Sequence, residues 1–109
     1  MCEFQYLYFE EDGYVVRCKQ CGHYQVGFGS IMLTLADNEF QEFRKMVKYK
    51  CYEVEGASLA HKKGMILQTP SPGICMLLTE FETRRFSEIL EQADSEVKAL
   101  AIIKLFNPE

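Results

Sequence analysis

Tyr14-Val15-Val16-Arg17-Cys18-Lys19-Gln20-Cys21-Gly22-His23-Tyr24-Gln25-Val26-Gly27-Phe28 joins two runs of β-branched and aromatic residues through a Cys-x-x-Cys-Gly turn. Runs of this composition, bounded by turn residues, read as strands. Upstream, residues 2–10 alternate, with Cys2, Phe4, Tyr6 and Tyr8 on one side and Glu3 and Gln5 on the other. That period of two predicts a further strand. Glu11-Asp12-Gly13 supplies the turn between them. With a three-residue loop, Glu10 lies opposite Tyr14 and Cys2 falls opposite Gly22. The same register groups Cys2, Tyr6, Val16 and Cys18 on one apolar face, whereas a two-residue Asp-Gly loop would mix the faces.

Downstream, Gly27 and Gly29 mark a bend or turn before a fourth strand at 30–35. A helix is expected from Ala36 or Asp37 to about Lys50, with Phe40, Phe43, Met46 and Val47 inward. Residues 51–64 carry no clear period; Cys51 to Val54 reads as a short strand or irregular chain. Strand signals return at 65–69 and 74–78, flanking the turn Pro70-Ser71-Pro72-Gly73. Thr79 and Glu82 have capping-box spacing, in which each side chain bonds the other residue's backbone N–H. The helix they open should bury Phe86, Ile89, Leu90 and Ala93. Asp94-Ser95 is expected to interrupt it and cap a last helix over 96–106, with Val97, Leu100 and Ala101 inward, ended by Asn107-Pro108.

Two stretches correspond at an offset of 43 residues. Gln25, Ile31, Leu35, Glu39 and Phe43 recur as Gln68, Ile74, Leu78, Glu82 and Phe86, while Ala36 stands where Thr79 caps the second copy. The cap in the first copy has therefore decayed or moved to Asp37. The expected fold is α+β: an antiparallel sheet from a duplicated ββα unit with helices on one face, plus an N-terminal β-hairpin carrying a CxxC knuckle. One domain spans 1–109, divided into hairpin and knuckle (1–22), first unit (23–50), second unit (65–93) and C-terminal helix (95–106).

With 109 residues, 48% of them hydrophobic and 26% charged, the chain can bury a core. No run approaches the ~18 apolar residues of a membrane span. A net charge of −4 disfavours nucleic acid and anionic membrane as partners. The cations Arg44, Lys45, Lys48 and Lys50, and Arg84-Arg85, have acidic neighbours and read as solvated helix faces; Lys62-Lys63 falls in a loop. Met1-Cys2-Glu3-Phe4 lacks the basic and apolar regions of a secretory signal, so the expected compartment is the cytoplasm.

Five cysteines in a reducing compartment point to thiols or metal ligands. Cys75, in the apolar run 74–78, reads as a small hydrophobe. Two thiolates three positions apart reach one metal across a tight turn, and Gly22 eases that turn. A redox CxxC normally opens a helix; this one leads into a strand. A structural zinc site wants four ligands, and the hairpin brings Cys2 towards Cys18 and Cys21. His23 is the most local fourth ligand, although a lone strand histidine is more often a surface residue; Cys51 and His61 are more distant options. Vacant thiols and redox chemistry remain the competing readings.

The run 15–29, with Leu33-Thr34-Leu35, Glu39-Phe40, the early Cys2 and the Pro-Ser-Pro turn, resembles an uncharacterised family of short bacterial proteins. That resemblance implies the grouping of an N-terminal Cys with a CxxC, and no activity, substrate or partner. No phosphate loop, HExxH, G-x-S-x-G or kinase pattern is present, so an enzyme is not expected. The preferred expectation is a small non-enzymatic interaction or regulatory protein with a structural zinc site, meeting an unidentified protein partner or a second copy through exposed hairpin tyrosines (from Tyr6, Tyr8, Tyr14 and Tyr24). The alternative is a thiol redox or metal-handling protein using Cys18 and Cys21.

Overall fold

The computed structural model describes residues 3–53 and 64–106. Four strands, β1 (Phe4–Glu10), β2 (Gly13–Cys18), β3 (Tyr24–Phe28) and β4 (Ile31–Leu35), form an antiparallel sheet in chain order. Helix α1 (Asp37–Glu53) follows, then β5 (Met65–Gln68) and β6 (Cys75–Leu78) as a separate antiparallel pair, then α2 (Glu80–Phe106). The architecture is α+β. The expected stretch of strand or irregular chain from Cys51 onward is helical through Glu53, and residues 54–63, including His61, lie outside the described residues.

Cross-strand pairing fixes the faces of the large sheet, since directly opposed residues point the same way. One face carries the rows Tyr8–Val15–Val26–Leu33 and Gln5–Arg17–Tyr24–Leu35. Val15, Val26, Leu33, Tyr24 and Leu35 join the core with Phe40 and Phe43 of α1 and Phe86, Ile89 and Leu90 of α2. Aromatic stacking ties the layers: Tyr24 on Phe40 at 4.1 Å, Phe28 on Phe86 at 4.5 Å. Both helices therefore cover this one face. The other face carries Phe9–Tyr14–Gly27–Met32 and Tyr6–Val16–Gln25–Thr34.

The first hairpin departs from the expected register. Glu10 pairs with Gly13, leaving a two-residue loop, Glu11-Asp12, and a bulge lies between Tyr6 and Tyr8. A bulge inserts one residue and changes which side chains face each way. Leu7 turns into the core, while Phe4, Tyr6 and Phe9 share the outward face with Val16 and Cys18. The bulge thus undoes the mixing of faces that a two-residue loop alone would cause. Tyr6, Val16 and Cys18 do share a face, but it is the one away from the helices. The expected turn before β4 falls at Gly29, while Gly27 sits within β3, beneath the Tyr14 ring.

The two helix starts are built alike. Thr79 and Glu82 form a complete capping box, with N–H to side-chain oxygen distances of 2.9 Å in both directions. At α1, Glu39 reaches back to the Ala36 N–H at 2.8 Å, and Ala36 returns nothing. Asp37 accepts instead from the Tyr24 hydroxyl. The cap is therefore halved, not moved. Asp94-Ser95 does not interrupt α2, which is continuous over 27 residues. Asp94 faces inward and accepts from Gln41 at 2.9 Å and Lys98 at 2.8 Å, so its carboxylate ties two helices instead of capping one. Arg44, expected on a solvated face, is buried between Glu91, Asp94 and Gln41. Ala101 is exposed, contrary to its expected inward placement, and Cys75 is exposed on the outward side of β6.

Candidate functional site at the Cys18–Gly22 turn

Strand β2 delivers Cys18 to the end of the sheet opposite the Glu11-Asp12 loop, and the chain turns there into β3. The Gly22 N–H donates to the Cys18 carbonyl at 2.9 Å, and the Cys18 N–H to the His23 carbonyl at 2.8 Å. Gly22 has φ of +78°, a left-handed conformation that glycine adopts without steric cost. The Cys21 N–H points at Cys18 Sγ at 3.4 Å. A donor aimed at sulfur favours the thiolate whenever that sulfur is reduced.

Cys18 is buried and disulfide-bonded, while Cys21 is exposed three residues on. Strand β1 closes the other side: the Lys19 N–H donates to the Glu3 carbonyl at 2.8 Å, and the Glu3 N–H to Gln20 Oε1 at 2.7 Å. Glu3 is thus held at the turn, with Phe4 opposite Cys18 in place of the expected register. Cys2 itself lies outside the described residues. His23 is exposed and takes part through its backbone. Among the described residues no group of three or more His, Cys, Asp or Glu is placed to hold a metal ion.

The other cysteines stand apart. Cys51 lies on α1 against the Thr83 carbonyl, and burial pushes its thiol up from the ordinary range. Tyr24, which packs under the Arg17 guanidinium at 5.4 Å, is pushed up to about 12 by burial, with Asp37 adding and Arg17 opposing. On the outward face Tyr6 stacks on Phe9 at 5.5 Å and Phe9 tilts against Tyr14 at 6.1 Å. Tyr6 is 65% and Phe9 61% exposed. The bulge is what assembles this strip, and a bulge has no mark in the alternation of residues 2–10.

Fold and site together define a small α+β domain: a four-stranded meander under two helices, with a cysteine-bearing turn at one end of its first hairpin. The chain belongs to the Family of unknown function (DUF6686), which matches residues 1–107. No curated protein and no solved structure matches it. No helix among the described residues is long and apolar enough to cross a membrane.

Proposed function

We propose that the protein is a small non-enzymatic interaction or regulatory module whose N-terminal hairpin is pinned by the thiols of Cys2, Cys18 and Cys21 around a structural zinc ion, with His23 as fourth ligand. The observation carrying this reading is the turn itself: a left-handed Gly22, its N–H on the Cys18 carbonyl, and the Cys21 N–H aimed at Cys18 Sγ. These features support reading the reduced turn as a metal knuckle, a CxxC turn in which the backbone supports a thiolate. Zinc needs Cys18 reduced, so the metal-bound form is the reduced form of this hairpin. The partner, a protein or a second copy of the chain, meets the outward strip of Tyr6 and Phe9. Neither nucleic acid nor membrane fits a chain of net charge −4. Thiols at Cys21, Cys51 and Cys75 support a cytoplasmic setting.

A second reading is favoured by one observation, the disulfide at Cys18 with an exposed Cys21 thiol close by. A thiol three residues away is placed to attack that bond, which is the arrangement of a redox protein. Independently of the cysteines, we also propose that the two strand–strand–helix stretches descend from one duplicated ββα unit. Glu39 and Glu82 perform the same backward bond at residues 43 apart. The hairpins differ, since Gln25 pairs with Thr34 but Gln68 pairs with Cys75, two residues short of the offset.

The test is zinc content per chain with a count of alkylatable thiols on freshly purified protein, followed by melting with and without chelator. One zinc per chain, protected thiols and a large fall in melting temperature on chelation support the structural site. Half a zinc per chain assigns a site shared by two copies. No metal, with a disulfide at Cys18 that opens and closes without unfolding, replaces the zinc reading with the redox one.

A further inference from the structure

Arg17 breaks the pattern of the sheet face it occupies. It lies in the helix-covered row between Gln5 and Tyr24, where the neighbouring row holds Val15, Val26 and Leu33. Its guanidinium lies over the Tyr24 ring, and its Nε is buried with no hydrogen-bond partner. A buried donor of a charged group left without an acceptor is costly, and one in a folded protein calls for an explanation.

The guanidinium faces an open cleft of about 560 Å³ that also takes in Lys19, Gln20, Cys21 and Lys104. None of its described lining residues is acidic, in a chain with 16 acidic against 12 basic residues. The Glu3 carboxylate, beside the cleft, accepts from Gln20 Nε2. Lys104 in the last turn of α2 is accounted for by the helix's terminal charge. Arg17 has no such account. A second cleft of about 390 Å³ shares Gln5, Arg17 and Lys104 and continues along Val97, Leu100, Ala101 and Ile103. One end is therefore cationic and the adjoining end apolar, a pairing that fits an amphipathic anion.

We propose that these joined clefts bind a small organic phosphate, its phosphate held by Arg17, Lys19 and Lys104 and its apolar body lying along Val97, Leu100, Ala101 and Ile103. Three cations with no carboxylate among the described lining residues suit a doubly charged group, and the buried Arg17 Nε gains an acceptor from a phosphate oxygen. The site goes beyond the thiol reading: Cys18 and Cys21 also line the cleft, but its anion-holding charge is assigned to Arg17, Lys19 and Lys104.

The experiment is a ¹⁵N-resolved NMR titration of the full chain at fixed ionic strength, with inorganic phosphate, phenyl phosphate and succinate as probes. Saturable shifts are expected at the Arg17 Nε–H and the amides of Lys19 to Gly22, with phenyl phosphate binding at least tenfold more tightly than inorganic phosphate. Arg17→Gln should weaken both phosphates tenfold or more. Ile103→Ser, an exposed change, should weaken phenyl phosphate alone. Equal affinity for the two phosphates would reduce the site to a free-anion site and overturn the apolar half. Tighter binding of succinate, shifts that never saturate, or wild-type affinity in a folded Arg17→Gln protein would overturn the proposal entirely. The Arg17 Nε–H shift and the Arg17→Gln and Ile103→Ser effects, compared at equal zinc content, are separable from failure of the thiol reading.

Discussion

Replacing Gly27 by alanine tests whether the outward aromatic strip is part of the packing of the sheet. An added Cβ at Gly27 would lie 2.2 Å from Tyr14 Cε1, 2.7 Å from Cζ and 2.8 Å from Cδ1, so the ring must leave its place. Displacing it costs the Phe9–Tyr14 contact, about 0.5–1.5 kcal/mol, and re-exposes the strand beneath. Overpacking of this kind typically costs about 1–3 kcal/mol, while alanine in a strand returns roughly 0.5–1 kcal/mol of glycine's conformational entropy. The expected net loss is about 1–2 kcal/mol, read by equilibrium urea denaturation. In a Tyr14→Ala background the clash is gone, so Gly27→Ala should become neutral or stabilising, a coupling of at least ~1 kcal/mol. Gly13→Ala is the contrast. Its Cβ would meet the Gly27 carbonyl oxygen at 2.8 Å and Ile89 and Phe28 at 3.2 Å, and backbone cannot swing aside. It should cost about 3 kcal/mol whatever stands at position 14. The same cost for Gly27→Ala in both backgrounds would refute the role assigned to the ring.

Other expectations follow from the helix pair. Burial pushes the Asp94 carboxyl up, but hydrogen bonds from Gln41 and Lys98 and the charge of Arg44 more than offset it, leaving it below its ordinary value of 3.8. Its stabilisation is therefore present above the unfolded pKa and lost as pH falls through the lower folded pKa. Asp94→Asn should cost about 1–3 kcal/mol at pH 7, and melts at decreasing pH should show the gap to wild type closing below about pH 4. At the caps, Thr79→Ala should cost about 1 kcal/mol, while Ala36→Ser, completing the half-made box, should add about 0.5–1 kcal/mol, roughly 2–6 °C in melting temperature. Gly22→Ala meets only Arg17 Nη2 at 3.7 Å, so its cost is the left-handed backbone alone, about 1–2 kcal/mol by chemical denaturation.

Local pattern alone located the six strands and the buried faces of both helices. Alternation marked the strands, the spacing of Phe40, Phe43, Met46 and Val47 gave α1 its buried face, and that of Phe86, Ile89, Leu90 and Ala93 gave α2 its own, because local periodicity reports directly which side is apolar. The cysteine-bearing turn was legible for the same reason: Cys18 to His23 is a local motif whose backbone bonds span four and five positions. What lay beyond it was decided by contacts distant in the chain. The bulge at Leu7 exists because a core side chain is needed there, and it set the true register and turned Phe4, Tyr6 and Phe9 outward. Asp94 reads locally as a helix stop, yet Gln41 and Arg44, about fifty residues away, make it a buried tie within a continuous helix. Arg17 looks like any charged strand residue until the end of α2 is laid beside it. A charged side chain carries no local sign of whether water or another helix will meet it, so burial of charge is settled only when the elements pack.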